Sequence, residues 1–315
     1  MRKKKQGSRL LLFVLILILV LVLLYSGLRI LESTVLFSGK EEREDFVSKT
    51  IAHNGIDYFP KQDITTILVM GISENGQSEM NALLIFDESE GEYSVLHLNR
   101  DTMVQMPVLD SNGKQTDTTY GRLSEAFTYG NGREDSCENI GNTVSDFLRG
   151  INIDKYLAVQ MDAIAVLNDA VGGVTVEITE DFSAVDPQIH MGMVNLTGEH
   201  TINYLSAGKD ADERLNASAT QRQALYMDGF MKAFQAKMAK EPGFLVAAYE
   251  QIKPYVVTDL SAIDMLEMAD HFKQFNRSET VFTAGETRKS ETYFEFYADE
   301  EKLDELILRL FYEPK

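Results

Sequence analysis

The hydrophobic pattern begins with an abrupt contrast. Arg2, Lys3, Lys4, Lys5 and Arg9 precede residues 10–25, a run built of Leu, Ile, Val, Phe and a closing Tyr, and the next charge is Arg29. That length is close to the roughly 20 residues that cross a bilayer core. A cleaved signal peptide has a shorter apolar region and a small-x-small site, which Ser26-Gly27 matches poorly, so the segment reads as an uncleaved anchor. A basic flank stays in the cytoplasm, which puts the remaining chain outside. Residues 33–62 are polar and poorly periodic, as a juxtamembrane spacer would be.

From Ile64 the texture changes. Residues 64–72 (ITTILVMGI) form a near-continuous apolar run, as a strand buried on both faces does. Residues 82–86 and 93–98 predict a hairpin around an acidic turn bearing Gly91. An irregular stretch follows Arg100. Then come a short helix over 122–129 and a second helix capped by Asp135 or Ser136, with Ile140, Val144, Phe147 and Leu148 on one face. Residues 154–161 predict a strand, 162–171 a helix stopped by Gly172-Gly173, and 174–178 another strand. Helical spacing of Met227, Phe230, Met231, Phe234 and Met238 predicts a long helix over 220–240, with others at 243–252 and 260–275. Strands at 280–283 and 293–298 and a helix at 299–311 close the chain. The fold class expected is α/β: a three-layer α/β/α domain with a central mixed sheet, preceded by one transmembrane helix. Its division is a basic flank at 1–9, anchor at 10–28, spacer at 29–63, main domain at 64–240 and a packed extension at 241–315.

Charge narrows the partners. The 315 residues carry a formal net charge of −19, and the exported part is more negative still because the basic flank stays behind. Such a surface repels nucleic acid, so any phosphate ligand needs a concentrated basic site. The single Cys137 excludes an intramolecular disulfide, in keeping with a bacterial surface. The sequons at Asn195, Asn216 and Asn276 then read as chance.

Common catalytic signatures are absent: no phosphate-cradling glycine loop before a lysine, no serine elbow, no paired histidines. His97, on an apolar strand, reads as a core residue. The distinctive feature is Arg100-Asp101 at the end of a predicted buried strand. That is where open α/β sheets grip ligands, although an ion pair capping the sheet edge would look the same.

Taken with the anchor, the runs VLHLNRDT, RLSEAFTYGNG, DAVGGVTVEITEDF, LTGEHTINYL and QRQALYMDGF resemble, in order, the LytR-CpsA-Psr family from about Thr65 to about Lys240. The resemblance implies an extracytoplasmic protein of a bacterial cell membrane. It implies a phosphotransferase that moves a glycopolymer from a polyprenyl-pyrophosphate carrier onto peptidoglycan with Mg2+ and clustered arginines, the lipid tail in an apolar tunnel. By position, Arg100 binds phosphate, Asp101 orients or activates, and Arg122, Arg222 and Gln223 bind substrate. Glu79 stands at one metal position and Ser73 at the other, both aspartate in the family. Three arginine positions read Ser206, Gly208 and Ala219, and Lys209, Arg214 and Arg133 are possible replacements. Three readings stay open: a transferase with a reduced site, a binding or scaffold protein that keeps the apolar pocket, and a membrane-tethered regulator, disfavoured because an acidic exported domain does not touch DNA.

Overall fold

The computed structural model describes residues 50–208, 213–241, 244–261, 264 and 274–315. The flank and anchor expected at 1–28, Lys209 and most of the helix expected at 260–275 lie outside the described residues. Among the described residues no helix is long and apolar enough to cross a membrane.

Residues 51–60, expected to belong to the spacer, are instead folded. β1 (Ile51–His53) and β2 (Ile56–Pro60) form a hairpin, and β2 pairs with the C-terminal β15 (Tyr312–Pro314). Of their apolar residues, Ile51 and Tyr58 pack on the edge of one core while Ile56 and Phe59 stay exposed, a pattern that local periodicity over so short a stretch does not reveal.

The central sheet is built on β3 (Ile64–Ile72), β4 (Ser78–Asp87), β5 (Glu92–Leu98), β8 (Lys155–Gln160), β11 (Val256–Thr258) and β12 (Asn276–Phe282), in the order β11-β8-β3-β4-β5-β12. It is mixed: β3 runs parallel to β8 and β5 to β12, while the other neighbours are antiparallel. Successive side chains of a strand face opposite ways, and here both ways are apolar. Ile67, Leu84 and Phe86 join one core, and Leu68, Leu83 and Ile85 the other.

The first core is closed by α2 (Met161–Ala170), α3 (Gly198–Ser206), the short α4 (Glu213–Ala217), α5 (Ala219–Lys240) and α6 (Phe244–Ile252), together with the hairpin of β9 (Val174–Ile178) and β10 (Gly192–Leu196). The second is closed by α1 (Glu134–Phe147) and α7 (Glu300–Phe311), whose buried Leu303, Leu306, Ile307 and Leu310 recur at helical spacing behind an Asp299 N-cap.

Three local expectations change. The helix expected at 122–129 is a 3-10 turn, Leu123–Tyr129. Helix α1 starts at Glu134 without a side-chain cap, and Asp135 lies in its first turn, its carboxylate accepting a bond from Asn131. The stretch after Arg100, expected to be irregular, is a hairpin of β6 (Met103–Leu109) and β7 (Gln115–Arg122). β7 is exposed along almost its whole length, so it lacks the apolar alternation that marks a half-buried strand. Beside β6 lies a second hairpin, β13 (Gly285–Lys289) and β14 (Phe294–Ala298), joined to it by a parallel bridge between Thr102 and Phe296.

Candidate active site

The site forms where β5 ends. The Asn99 side chain accepts the Asp101 amide at 2.9 Å, and its carbonyl accepts the Thr102 hydroxyl at 2.6 Å. This local turn, of the kind asparagine favours, reverses the chain and leaves Arg100 and Asp101 buried. The Arg100 carbonyl then accepts the Ser124 amide and the Thr102 carbonyl the Leu123 amide, each at 2.8 Å, which sets the end of β7 and its Arg122 against the same turn.

Arg100 pairs with Glu79 of β4, both buried, and its Nε lies 3.7 Å from Asp101 Oδ1. Arg122 Nη1 approaches the same oxygen at 3.6 Å. Arg122 is itself gripped by Glu125 at 2.8 and 3.1 Å, and the Tyr293 ring lies over its guanidinium at 4.4 Å. The other Asp101 oxygen accepts the Asn216 amide at 2.6 Å. Burial pushes the Asp101 carboxyl above the ordinary aspartate range, against the opposing pull of Arg100, Asn216 and Arg122. Among the described residues Asp101 Oδ1 has no hydrogen bond, although two guanidinium groups face it. It is a buried acceptor facing two guanidinium groups.

Arg222 and Gln223 sit directly behind. Gln223 Nε2 donates to the Glu79 carbonyl at 2.9 Å and to the Leu205 carbonyl at 3.2 Å, locking α5 to β4 and α3. Arg222 is buried, with its donors directed at the carbonyls of Ala207 (2.8 Å), Leu215 (2.5 Å) and Tyr204 (3.4 Å) and at the Ser218 hydroxyl (2.5 Å). Glu180 lies 3.5 Å away. A cation at the C-terminus of α3 is favoured by its exposed carbonyls, so this guanidinium braces the wall of the site. Burial lowers its pKa below the ordinary arginine value, offset by Glu180 and aggravated by Arg100 nearby. Arg100, Asp101, Arg122 and Glu79 therefore meet in one cluster, with Gln223 and Arg222 as its support.

The open arginine positions have a physical explanation at Gly208. Its φ is +88°, and a Cβ there would stand 2.2 Å from the Asn216 nitrogen. No side chain fits without displacing Asn216 from Asp101. Of the possible replacements, Arg133 is exposed and pairs with Glu134. Arg214 is also exposed.

The metal positions fare differently. Ser73 turns its hydroxyl into its own loop, toward Asn75 (2.5 Å) and the Gln77 carbonyl (2.9 Å). Glu79 is engaged by Arg100, and Asp101 is flanked by two guanidinium groups. Among the described residues no group of three His, Cys, Asp or Glu side chains could hold a metal. A magnesium ion needs near-octahedral oxygen ligands, and one placed here would face two positive charges, so these side chains do not fit it.

Against the charged cluster lies an apolar cavity of about 80 Å³ between the sheet and α2 and α5, lined mainly by Val69, Val159, Leu167, Tyr226, Met227 and Phe230. Gln223, Met80 and Asn81 line the end nearest the charged cluster. His97 is buried, stacks on Phe282 at 5.4 Å and also borders the cavity. Phe234 packs on Phe244 instead. Sequence reasoning missed Asn216, Glu125 and Tyr293. Glu125, three residues after Arg122, is the one with a local signal, the capping-box spacing.

The LytR_cpsA_psr family model matches residues 31–310. A curated relative, the polyisoprenyl-teichoic acid–peptidoglycan teichoic acid transferase TagU of Halalkalibacterium halodurans, is 27% identical over 250 residues, covering 76% of this chain and 76% of that protein. The transferase of the same description, TagV of Bacillus subtilis, is 30% identical over 171 residues, 50% of this chain and 40% of that protein. Among solved structures, B. subtilis TagV aligns with a TM-score of 0.58 at 22% identity, over 79% of this chain and 96% of that one. TagT bound to LI-WTA aligns with a TM-score of 0.56 at 19% identity, over 83% and 94%. At those identities the structures show a shared fold.

Proposed function

The chain belongs to the LytR-CpsA-Psr family, and from that premise we propose that it is a membrane-anchored, extracytoplasmic cell-envelope transferase that takes a glycopolymer from a polyprenyl-pyrophosphate carrier to peptidoglycan. One observation carries this: a buried cluster of guanidinium groups and an acceptor carboxylate abuts an apolar cavity, with Gln223 at the boundary. A prenyl pyrophosphate has that polarity, a concentrated anion on an apolar chain. Planar guanidinium groups suit the first, and the aromatic and aliphatic lining has the chemistry of the second. The cavity of about 80 Å³ is smaller than a whole prenyl chain and must widen to take one. Related proteins are named for transfer from a polyisoprenyl carrier to peptidoglycan, which supports the same substrate pair.

The chemistry follows from the side chains. An acceptor hydroxyl attacks the phosphorus that bears the glycopolymer. The bond from that phosphorus to the bridging oxygen breaks, polyprenyl monophosphate leaves with the electron pair, and a new phosphodiester forms. Asp101, made more basic by burial, accepts the hydroxyl proton at Oδ1. Arg100 and Arg122 hold the phosphoryl oxygens, where charge is spread in the transition state. Glu79 and Glu125 fix those guanidinium groups in place. No step uses a metal.

A binding protein without turnover is the second possibility, favoured by Arg222 directing its donors at carbonyls and by Gly208 having no room for a side chain. The test is equilibrium binding of a polyprenyl pyrophosphate to the full chain, with and without magnesium. Saturable, magnesium-indifferent binding weakened about a hundredfold in Arg100→Ala and in Arg122→Ala is expected, since each loses charge-assisted bonds of roughly 1.5 to 3 kcal/mol. No binding sinks the proposal. Binding without transfer to peptidoglycan selects the second possibility.

A further inference from the structure

Beyond the phosphate cluster, Arg122 opens onto a sheet face that the transfer chemistry does not use. β7 pairs with β6, with Met103 opposite Arg122 and Gln105 opposite Tyr120. On the other side of β6, the Phe296 amide donates to the Asp101 carbonyl at 2.8 Å, so β14 is fastened to the site's own turn. The two hairpins are separate two-stranded sheets, β6-β7 and β13-β14, held side by side by this bond and by the Thr102–Phe296 bridge just before β6. Strand alternation places Tyr120 on the same face as Arg122, two residues and therefore about 7 Å along the strand. In β14, Phe294 and Phe296 are buried, which leaves Tyr297 and Glu295 on the opposite face, with Tyr293 just before the strand. Tyr293 covers Arg122, as described, and Arg288 stacks over Tyr297 at 4.6 Å.

This face is unusual for an acidic surface. Tyr120 is 58% exposed, the Tyr297 hydroxyl donates to Glu295 at 2.6 Å, and the Arg288 charge is met by Glu286 at 3.2 Å. Planar aromatic faces beside hydroxyl and carboxylate groups suit the two-sided surface of a pyranose, whose axial C–H face is apolar and whose rim is hydroxyl. A polyanionic polymer would meet Glu286, Glu295 and a chain of net charge −19, whereas an uncharged glycan meets no such penalty.

We propose that the outward face of the two hairpins β6-β7 and β13-β14, with Tyr120 and the Arg288-backed Tyr297 as its aromatic surfaces, binds the uncharged acceptor glycan and delivers its hydroxyl to Arg122 and Asp101. This rests on the transferase function proposed above and adds the acceptor's place to it. The region after Lys240, through β14, then supplies part of the active site.

The test is titration of the full chain, solubilised in a detergent without a sugar headgroup, with N-acetylchitotetraose as the probe. Saturation-transfer NMR is the readout, and polyprenyl pyrophosphate binding is measured in parallel. The expected result is saturable oligosaccharide binding weakened about tenfold or more in Tyr120→Ala and Tyr297→Ala, as removal of an aromatic contact surface requires. It should be kept within about threefold in Tyr120→Phe, which retains the ring. Prenyl pyrophosphate binding should be unchanged in all three variants. No oligosaccharide binding, or binding indifferent to both alanine substitutions, overturns the glycan face, and preferential binding of a glycerol phosphate oligomer does the same. Loss of prenyl pyrophosphate binding in the wild type with oligosaccharide binding intact overturns the transferase function and leaves the glycan face standing.

Discussion

Replacing Arg100 by methionine removes the charge at the centre of the site while keeping much of its volume. Arg100 is 8% exposed and its carboxylate neighbours Glu79 and Asp101 are 1% exposed. Glu79 loses its guanidinium partner, and Asp101 keeps only Arg122 at 3.6 Å and the Asn216 amide. Stripping one member from a buried ion pair costs about 3 to 5 kcal/mol, because a buried charge is left uncompensated. For a chain of this size each kcal/mol moves Tm by about 2 to 4 °C, so Arg100→Met should unfold about 6 to 20 °C below wild type. The companion variant Arg100→Met/Glu79→Gln removes the Glu79 charge as well. It should recover at least about half of the loss, a coupling of the size contacting residues show. Thermal unfolding of wild type, both single variants and the double variant at neutral pH measures this directly. If Arg100→Met unfolds within about 2 °C of wild type, or the double variant is no more stable than Arg100→Met, the buried pair does not organise the site.

Other outcomes follow from the same geometry. Asp101→Asn should leave the fold intact, with Tm equal or higher, while transfer falls by about 10²- to 10⁴-fold; unchanged transfer would remove Asp101 as the base. Because burial raises the folded pKa of Asp101, its proton-linked stabilisation is complete below the ordinary aspartate value near 3.8 and is lost as pH rises through the folded value. Urea unfolding against pH should therefore lose that component in Asp101→Asn. Asp87 behaves oppositely: burial pushes its pKa up, but bonds from Ser89, Lys61 and the Glu90 amide hold it below 3.8. Its stabilisation is present above that value and lost as pH falls through the folded one, so the deficit of Asp87→Asn should shrink on acidification below about 3.8. A deficit constant with pH would contradict this. Gly208→Arg, which restores a family arginine, should weaken prenyl pyrophosphate binding and lower Tm, because φ is +88° and the Cβ collides with Asn216; tighter binding by a stable variant would refute it.

The sequence by itself determined what is local. Residues 64–72 are apolar on both faces from Ile67 to Met70, so they form a strand buried on both sides, and β3 has those bounds. The 174–178 strand and the long helix through Phe230 follow the same logic, as does the Arg100-Asp101 pair at the end of β5. The ordered motifs carried the family. What escaped the sequence was contact between distant segments. Asn216 reaches Asp101 across 115 positions, and Tyr293 reaches Arg122 from the C-terminal hairpin. Arg222 looks like a ligand-binding arginine until the carbonyls of α3 and Leu215 are seen to hold it. β7 escaped because its exposed, threonine-rich residues make no hydrophobic alternation, although its register fixes where Arg122 and Tyr120 stand. Periodicity records which face of an element is buried and not what lies opposite it, so hydrogen-bond partners of buried polar groups are decided only when the chain closes around them.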